Sequence, residues 1–394
     1  MARAKLALDG GTPVRQRVLS YGRQTIERAD EQAVIAALRS DFLTQGPRVD
    51  EFERRFAEYV GRRYAVAFAN GTAALHGAYE AAGVGPGRDL VTSPLTFCAT
   101  ANAALFLGAG VRFADVDADS ALVDPASVEK TITRKTRAIC AIHYGGMLAD
   151  MPALSRLAKK YGVVLIEDAC HALGATGYGK QAGCFGDLGV FSFHPVKPIT
   201  TAEGGMVVTN NKSFAEKMRR FRTHGIVKGT RRSEPWFHEM RDLGFNYRLS
   251  DLHAALGLSQ LARYDDFLAK RRRIATFYDK VIAKMPGITA CPVPAETSSA
   301  YHLYPILVSP ERFRGGRGAV FRALQAEGIG VQVHYVPANA HPYYRRLGYD
   351  PRAAPHARRF YEREISLPIF PSMTARDRRD VVDALAKVHA GLSR

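Results

Sequence analysis

Val163-Val164-Leu165-Ile166-Glu167-Asp168-Ala169-Cys170-His171 is an unbroken apolar run that stops at two acids. A short apolar run bounded by charge reads as a strand buried on both faces, the kind found in parallel sheets. Just upstream, Met151–Tyr161 carries apolar residues at helical spacing, so a helix feeds the strand. The same alternation spreads outward in both directions. Strands are expected at Tyr64–Phe68 and at 89–93, 111–115, 137–143, 190–193 and 206–209, with further helices at 72–82 and 212–223. After Ser250 a charge-laced helical region runs to about residue 285, and Pro292 and Pro294 then mark a break. Beyond it, strands at 301–308 and 331–336 and helices at 318–327, 351–363 and 374–389 describe a compact second lobe. The fold class expected is α/β: a large, mostly parallel sheet domain over residues 1–270, N-terminal extension included, plus a smaller C-terminal α+β domain over 271–394.

The 394 residues, 46% hydrophobic and 24% charged, have the balance of a globular protein and exclude disorder, collagen and a miniature disulfide scaffold. No apolar run approaches the roughly 20 residues that a membrane helix needs. The basic N-terminus has no apolar segment behind it, so a secretory signal is not expected and the cytoplasm is. Cys98, Cys140, Cys170, Cys184 and Cys291 are odd in number and scattered, which suits reduced packing thiols. The net charge of +17 invites a nucleic-acid reading. The arginines are spread along helix-like stretches without aromatic-basic repeats, so a solvated face that attracts anionic small molecules is preferred, and no nucleic-acid partner is expected. His143, His194 and His334 lack ligand spacing, so no metal site is expected.

Four strand ends carry the chemistry. Phe191-Ser192-Phe193-His194-Pro195-Val196-Lys197 places a lysine between an apolar strand and a Thr/Gly-rich turn. Desolvation lowers an amine's pKa and frees the lone pair needed for a Schiff base, so Lys197 is a candidate nucleophile; the alternative is a surface lysine. Asp168 ends its strand at the carboxyl edge, where open α/β sheets place ligands, although a helix N-cap would use the same residue. Phe68-Ala69-Asn70-Gly71-Thr72-Ala73 turns a strand through glycine into a helix, a geometry that offers N–H groups to phosphate. Phe97, after another strand, can lie against a planar cofactor or in the core.

With Asp41-Phe42-Leu43-Thr44-Gln45-Gly46-Pro47 and Gly244-Phe245-Asn246-Tyr247-Arg248, these segments resemble, in order, the sugar aminotransferases of the DegT/DnrJ/EryC1/StrS group. The resemblance runs from about Leu19 to the C-terminus. The stretch 191–201, with Tyr21, Arg23 and Gln24, looks most like the enzymes that aminate C4 of UDP-linked 4-keto-6-deoxy-N-acetylhexosamines on the way to pseudaminic acid. It implies a fold type I architecture, like that of aspartate aminotransferase, and pyridoxal 5'-phosphate held by Lys197, which also moves the proton. Asp168 is implied as partner of the ring nitrogen, Thr72, Ala73 and Ser192 as phosphate ligands, Phe97 as stacking residue and His171 as a ring neighbour. Asn246 matches a residue that reaches the other subunit's cofactor, which implies a homodimer with shared sites. Glutamate is the implied donor and a nucleotide-linked keto sugar the acceptor. Related dehydratases usually carry histidine in place of this lysine, and a sugar-sensing regulator would not need it.

Two departures stand out. Ala202 occupies a position where relatives usually have glycine, so strain is expected if the turn needs positive φ. In Val333-His334-Tyr335-Val336-Pro337-Ala338-Asn339, relatives often carry histidine at the place of Asn339. This loop, with His334, Asn339 and Tyr21, is expected on the sugar side of the cleft. Tyr343-Tyr344 reads as packing.

Overall fold

The computed structural model describes residues 5–229 and 233–394. Seven strands build the main sheet: β1 (Tyr64–Phe68), β2 (Asp89–Thr92), β3 (Val111–Phe113), β4 (Thr136–Ile142), β5 (Val164–Asp168), β6 (Leu188–Ser192) and β7 (Gly205–Thr209), in the order β1-β7-β6-β5-β4-β2-β3. β2, β3, β4, β5 and β6 pair in parallel. β7 runs against both its neighbours, β1 and β6. It is reached by a loop closed by the Phe193 N–H on the Gly204 carbonyl, and a returning loop of this kind joins antiparallel strands without a crossover helix.

The helices between strands start and stop where the sequence says. Met151–Tyr161 is capped by the Asp150 carboxylate on the Ala153 N–H, with Pro152 in its first turn, and it ends at Gly162 in the left-handed region. The helical region after Ser250 is two helices, Asp251–Leu261 and Tyr264–Ile282. The first turns of the longer one place Phe267 and Leu268 in the core under the main sheet, while Ile274, Tyr278 and Ile282 enter the second core.

That second core lies between an antiparallel sheet, β8 (Ile288–Ala290), β9 (Tyr304–Val308) and β10 (Glu364–Leu367), and the helices Gly316–Ala326 and Ala375–Leu392. The N-terminal extension, expected with the large domain, packs here instead. Leu6 and Leu19 join this core, and the Ala7 and Val14 N–H groups donate to the Glu327 carboxylate. A division between residues 270 and 271 falls inside a continuous helix. We propose that the lobes divide within that helix, with the segment up to Leu19 assigned to the second lobe.

The strand expected at 331–336 is absent. Only Gln332 bridges to Ser366, because side chains take the backbone partners beyond it: the His334 N–H donates to the Glu364 carboxylate and the His334 carbonyl accepts from the Tyr144 hydroxyl. The helix expected at 351–363 begins at Pro355. No helix among the described residues is long and apolar enough to cross a membrane, and all five cysteines are free thiols.

Candidate active site

β5 and β6 are neighbours whose carboxyl ends carry the two residues that matter most. Successive side chains on a strand point to opposite faces, so Glu167 and Asp168 part company. Glu167 turns to the far face, fully buried, and accepts N–H groups from Gly183, Phe185 and Gly186. His143 takes the Ala149 N–H on Nδ1, so its Nε2 carries the proton and donates to Glu167 at 2.9 Å. Burial alone would raise the Glu167 pKa, and these bonds hold it below the usual carboxylate value.

Asp168 turns to the other face and is nearly buried. The Thr100 hydroxyl donates to its Oδ2 at 2.7 Å, and the Cys170 N–H donates to Oδ1 at 3.2 Å. Thr100 spends its only proton on Asp168, so Thr96, 2.7 Å away, must be the donor to Thr100. This Thr96–Thr100–Asp168 chain aims the carboxylate. Asp168 caps no helix; a turn follows it.

Lys197 sits on the loop after β6. Phe193 anchors the loop's start against the rings of Phe52 and Phe56, each 5.3 Å away. Thr200 donates to the Phe193 carbonyl and Thr201 to the Glu203 carbonyl, which explains two threonines in succession. Ala202 adopts φ +64°, the conformation suspected at this position. Lys197 is half-buried as a residue, and its amine has no hydrogen-bond or ion-pair partner among the described residues. Burial lowers its pKa, opposed by the nearby Cys170 and Asp168. Arg23, Gln24 and Thr25 line the same small recess as Lys197 and Thr200.

Asn70 caps the helix Gly71–Ala82. A Cβ at Gly71 would lie 2.8 Å from Ser192 Cβ, so glycine lets the end of β6 approach the first turn of the helix and brings the Ser192 hydroxyl there. The Ala73 N–H donates to Asn70 Oδ1 at 2.8 Å, as an N-cap requires, which leaves the first-turn N–H groups of Gly71 and Thr72 as the available donors.

Three histidines lie within electrostatic reach of the amine. His171 and His302 are buried with ring centroids 4.4 Å apart, and the Nδ1 atoms of both are buried without partners. The Tyr335 hydroxyl lies 3.1 Å from His171 Nε2. Burial, and then the Lys197 charge, push both histidines well below their ordinary pKa. The same causes lower His334 to about 3, so the shell is neutral. Phe97 is 58% exposed and stands opposite Tyr335 at 6.3 Å, an open ring face rather than a core residue. Tyr21 is half-buried with its ring 5.4 Å from His334. Asn339 is 1% exposed; its amide donates to the Asp350 carbonyl, and its Oδ1 is buried without a partner among the described residues. Asn246 is exposed and precedes Tyr247, whose carbonyl accepts the Ala69 N–H at the end of β1.

The profile of the DegT/DnrJ/EryC1/StrS aminotransferase family matches residues 24–386. The chain belongs to this family. Among curated DegT/DnrJ/EryC1/StrS relatives, a UDP-4-amino-4,6-dideoxy-N-acetyl-beta-L-altrosamine transaminase of Campylobacter jejuni is 42% identical over 94% of this chain and 97% of its own. The spore coat polysaccharide biosynthesis protein SpsC of Bacillus subtilis is 37% identical over 96% and 98%. Among solved structures, Helicobacter pylori PseC, an aminotransferase involved in pseudaminic acid biosynthesis, superposes with a TM-score of 0.90 at 33% identity, covering 95% of this chain and 100% of that one.

The family is pyridoxal-phosphate dependent, and the residues here fit that group. An unpaired amine, a carboxylate aimed by two threonines, helix-terminal N–H groups and an orphaned buried nitrogen on His171 all follow the carboxyl ends of the neighbouring strands β5 and β6 or pack against them. Motif reading missed Thr96, Thr100, His302, Tyr335, Glu364 and Ser366. Thr96 lies in the bend before the helix Ala99–Phe106 and Thr100 in its first turn, so only the folded turn brings the two hydroxyls together. Nothing nearby in sequence marks His302.

Proposed function

We propose that the chain transfers the amino group of glutamate to C4 of a UDP-linked 4-keto-6-deoxy-N-acetylhexosamine. The observation that carries this reading is the unpaired Lys197 amine, held within electrostatic reach of Asp168 inside a shell of neutral histidines. The relatives named for UDP-linked amino sugars support the acceptor. Retention of lysine at 197 speaks against a dehydratase.

When bound, pyridoxal phosphate supplies an electrophilic carbon for amine exchange and an electron-withdrawing ring. Lys197 holds it and carries a proton between donor and sugar carbons, a task suited to an amine whose pKa burial has lowered. Asp168, its carboxylate direction fixed by Thr100, would pair with the ring nitrogen and favour its protonated form. The Gly71 and Thr72 N–H groups and the Thr72 and Ser192 hydroxyls bind the phosphate. The exposed Phe97 would stack on the cofactor ring, and Tyr21 and His334 would form the sugar side.

We further propose a homodimer. Phe42, Leu43, Trp236, Met240 and Leu243 are exposed apolar residues, and backbone contacts between 43 and 251, 44 and 250, and 225 and 241 join their segments around Asn246. A patch of this kind suits a second copy, with Asn246 reaching the partner's phosphate. Free thiols and the soluble sugar-nucleotide substrate favour the cytoplasm.

The test is a mass-spectrometric screen of UDP-, dTDP- and GDP-linked keto sugars with glutamate as donor. Exchange of the sugar oxygen for an amine, with 2-oxoglutarate released, is expected for the UDP compound. Ammonia release without an aminated sugar would contradict the proposal.

A further inference from the structure

Behind the sugar side of the cleft lies a buried chain of three polar side chains. His334 Nδ1 is 2.8 Å from Ser366 Oγ, and Ser366 Oγ is 2.5 Å from Glu364 Oε1. The other carboxyl oxygen of Glu364 accepts the His334 backbone N–H at 2.7 Å. Glu364 and Ser366 are two apart on β10, so they share a face of the strand, and both are fully buried. His334 Nε2 has no partner among the described residues, and its ring lies against Tyr21 within electrostatic reach of Lys197.

The proton count decides what this chain can do. Ser366 has one proton and two acceptor positions, and the neutral imidazole has one proton for two nitrogens. If Glu364 is a neutral acid, it donates to Ser366, Ser366 donates to His334 Nδ1, and Nε2 carries the ring proton. If Glu364 is a carboxylate, it accepts from Ser366, Ser366 accepts from Nδ1–H, and Nε2 presents a lone pair. Between the two states Glu364 loses one proton to solvent. The ring keeps one throughout, moved from Nε2 to Nδ1.

We infer that Glu364, acting through Ser366, is a positioning residue that decides whether His334 Nε2 offers a donor or an acceptor to the sugar substrate. This rests on the proposed function only for the identity of the substrate. The surroundings favour the neutral acid near pH 7. Glu364 lies within electrostatic reach of the hydroxyls of Tyr144 and Tyr335 and the Cys291 thiol, and Arg317, the cation that lowers its pKa, makes no ion pair with it among the described residues. Burial therefore raises its pKa to about 8. His334 faces Tyr21, Tyr335, Lys197, His171 and His302, which supply no carboxylate to charge it. In the working enzyme His334 is then a donor, suited to a carbonyl or hydroxyl oxygen of the sugar.

Nitrogen NMR of the holoenzyme with ¹⁵N-labelled histidine reads the tautomer directly, with the His334 signals assigned by their loss in His334→Gln. At about pH 6.5 Nε2 should be protonated and Nδ1 bare, and at about pH 9.5 the two should have exchanged. Glu364→Gln, whose amide can only donate to Ser366 while its oxygen accepts the His334 N–H, should hold the first pattern at both values. In parallel, the KM for the nucleotide sugar should rise about tenfold across that range in the wild type and stay flat in the variant. One unchanged tautomer in the wild type, or exchange that persists in Glu364→Gln, overturns the inference. Turnover of the sugar without exchange refutes this inference alone, whereas exchange without sugar turnover refutes the function reading alone.

Discussion

Gly71→Ala tests how the phosphate end of the site is built. The added Cβ would stand 2.8 Å from Ser192 Cβ and 2.9 Å from its Oγ. Carbon atoms rest at about 3.5 Å or more, so strand end and helix must part by about 0.7 Å. A hydrogen bond from either side to a shared anion then lengthens beyond useful range. Losing one bond to a charged group costs about 1.5–3 kcal/mol, which corresponds to roughly ten- to a hundredfold weaker cofactor binding. The assay is titration of apo-protein with pyridoxal phosphate, followed by absorbance. Serine at 192 can be cut back in the same background: Gly71→Ala with Ser192→Gly removes the clash and should recover part of the affinity, less the lost hydroxyl. Wild-type affinity in the single variant would refute the claim that strand and helix share the phosphate.

Other consequences are as concrete. Thr100→Val keeps the shape but strips Asp168 of a donor and Thr96 of its acceptor, and should destabilise the apo-protein by about 2–4 kcal/mol in denaturant midpoints, with Thr100→Ser recovering most of it. Ala202→Gly should relieve a left-handed conformation costing an L-residue about 1 kcal/mol or more, partly offset by greater unfolded-state freedom, leaving the variant no less stable on thermal melting. Glu364 binds its proton up to about pH 8 when folded but releases it near the ordinary carboxyl value when unfolded. Its contribution to stability is therefore full below that ordinary value and is lost as pH rises through about 8. Glu364→Gln should accordingly gain on the wild type over that window in denaturation series, and a constant difference across it would contradict the buried neutral acid.

Much of the architecture was legible because strands buried on both faces must be written as apolar runs, and Val163 to Asp168 shows this plainly. The strand end with Lys197 was legible for a related reason: a lysine between a buried strand and a tight threonine turn has little room to reach solvent. What escaped reading depended on partners distant in sequence. The segment 331–336 alternates like a strand, yet its backbone is taken by Glu364 and Tyr144. The N-terminal extension carries no mark of which lobe holds it. Glu327, the residue that binds its backbone, lies more than 300 positions away.

The central claim is that the Lys197 amine bonds covalently to the cofactor. Borohydride reduction of the cofactor-loaded protein followed by peptide mass mapping tests it directly. A reduced pyridoxyl phosphate adduct is expected on the peptide containing Lys197, absent in Lys197→Ala. An adduct on another lysine, or none on a protein that still aminates sugar, would contradict it.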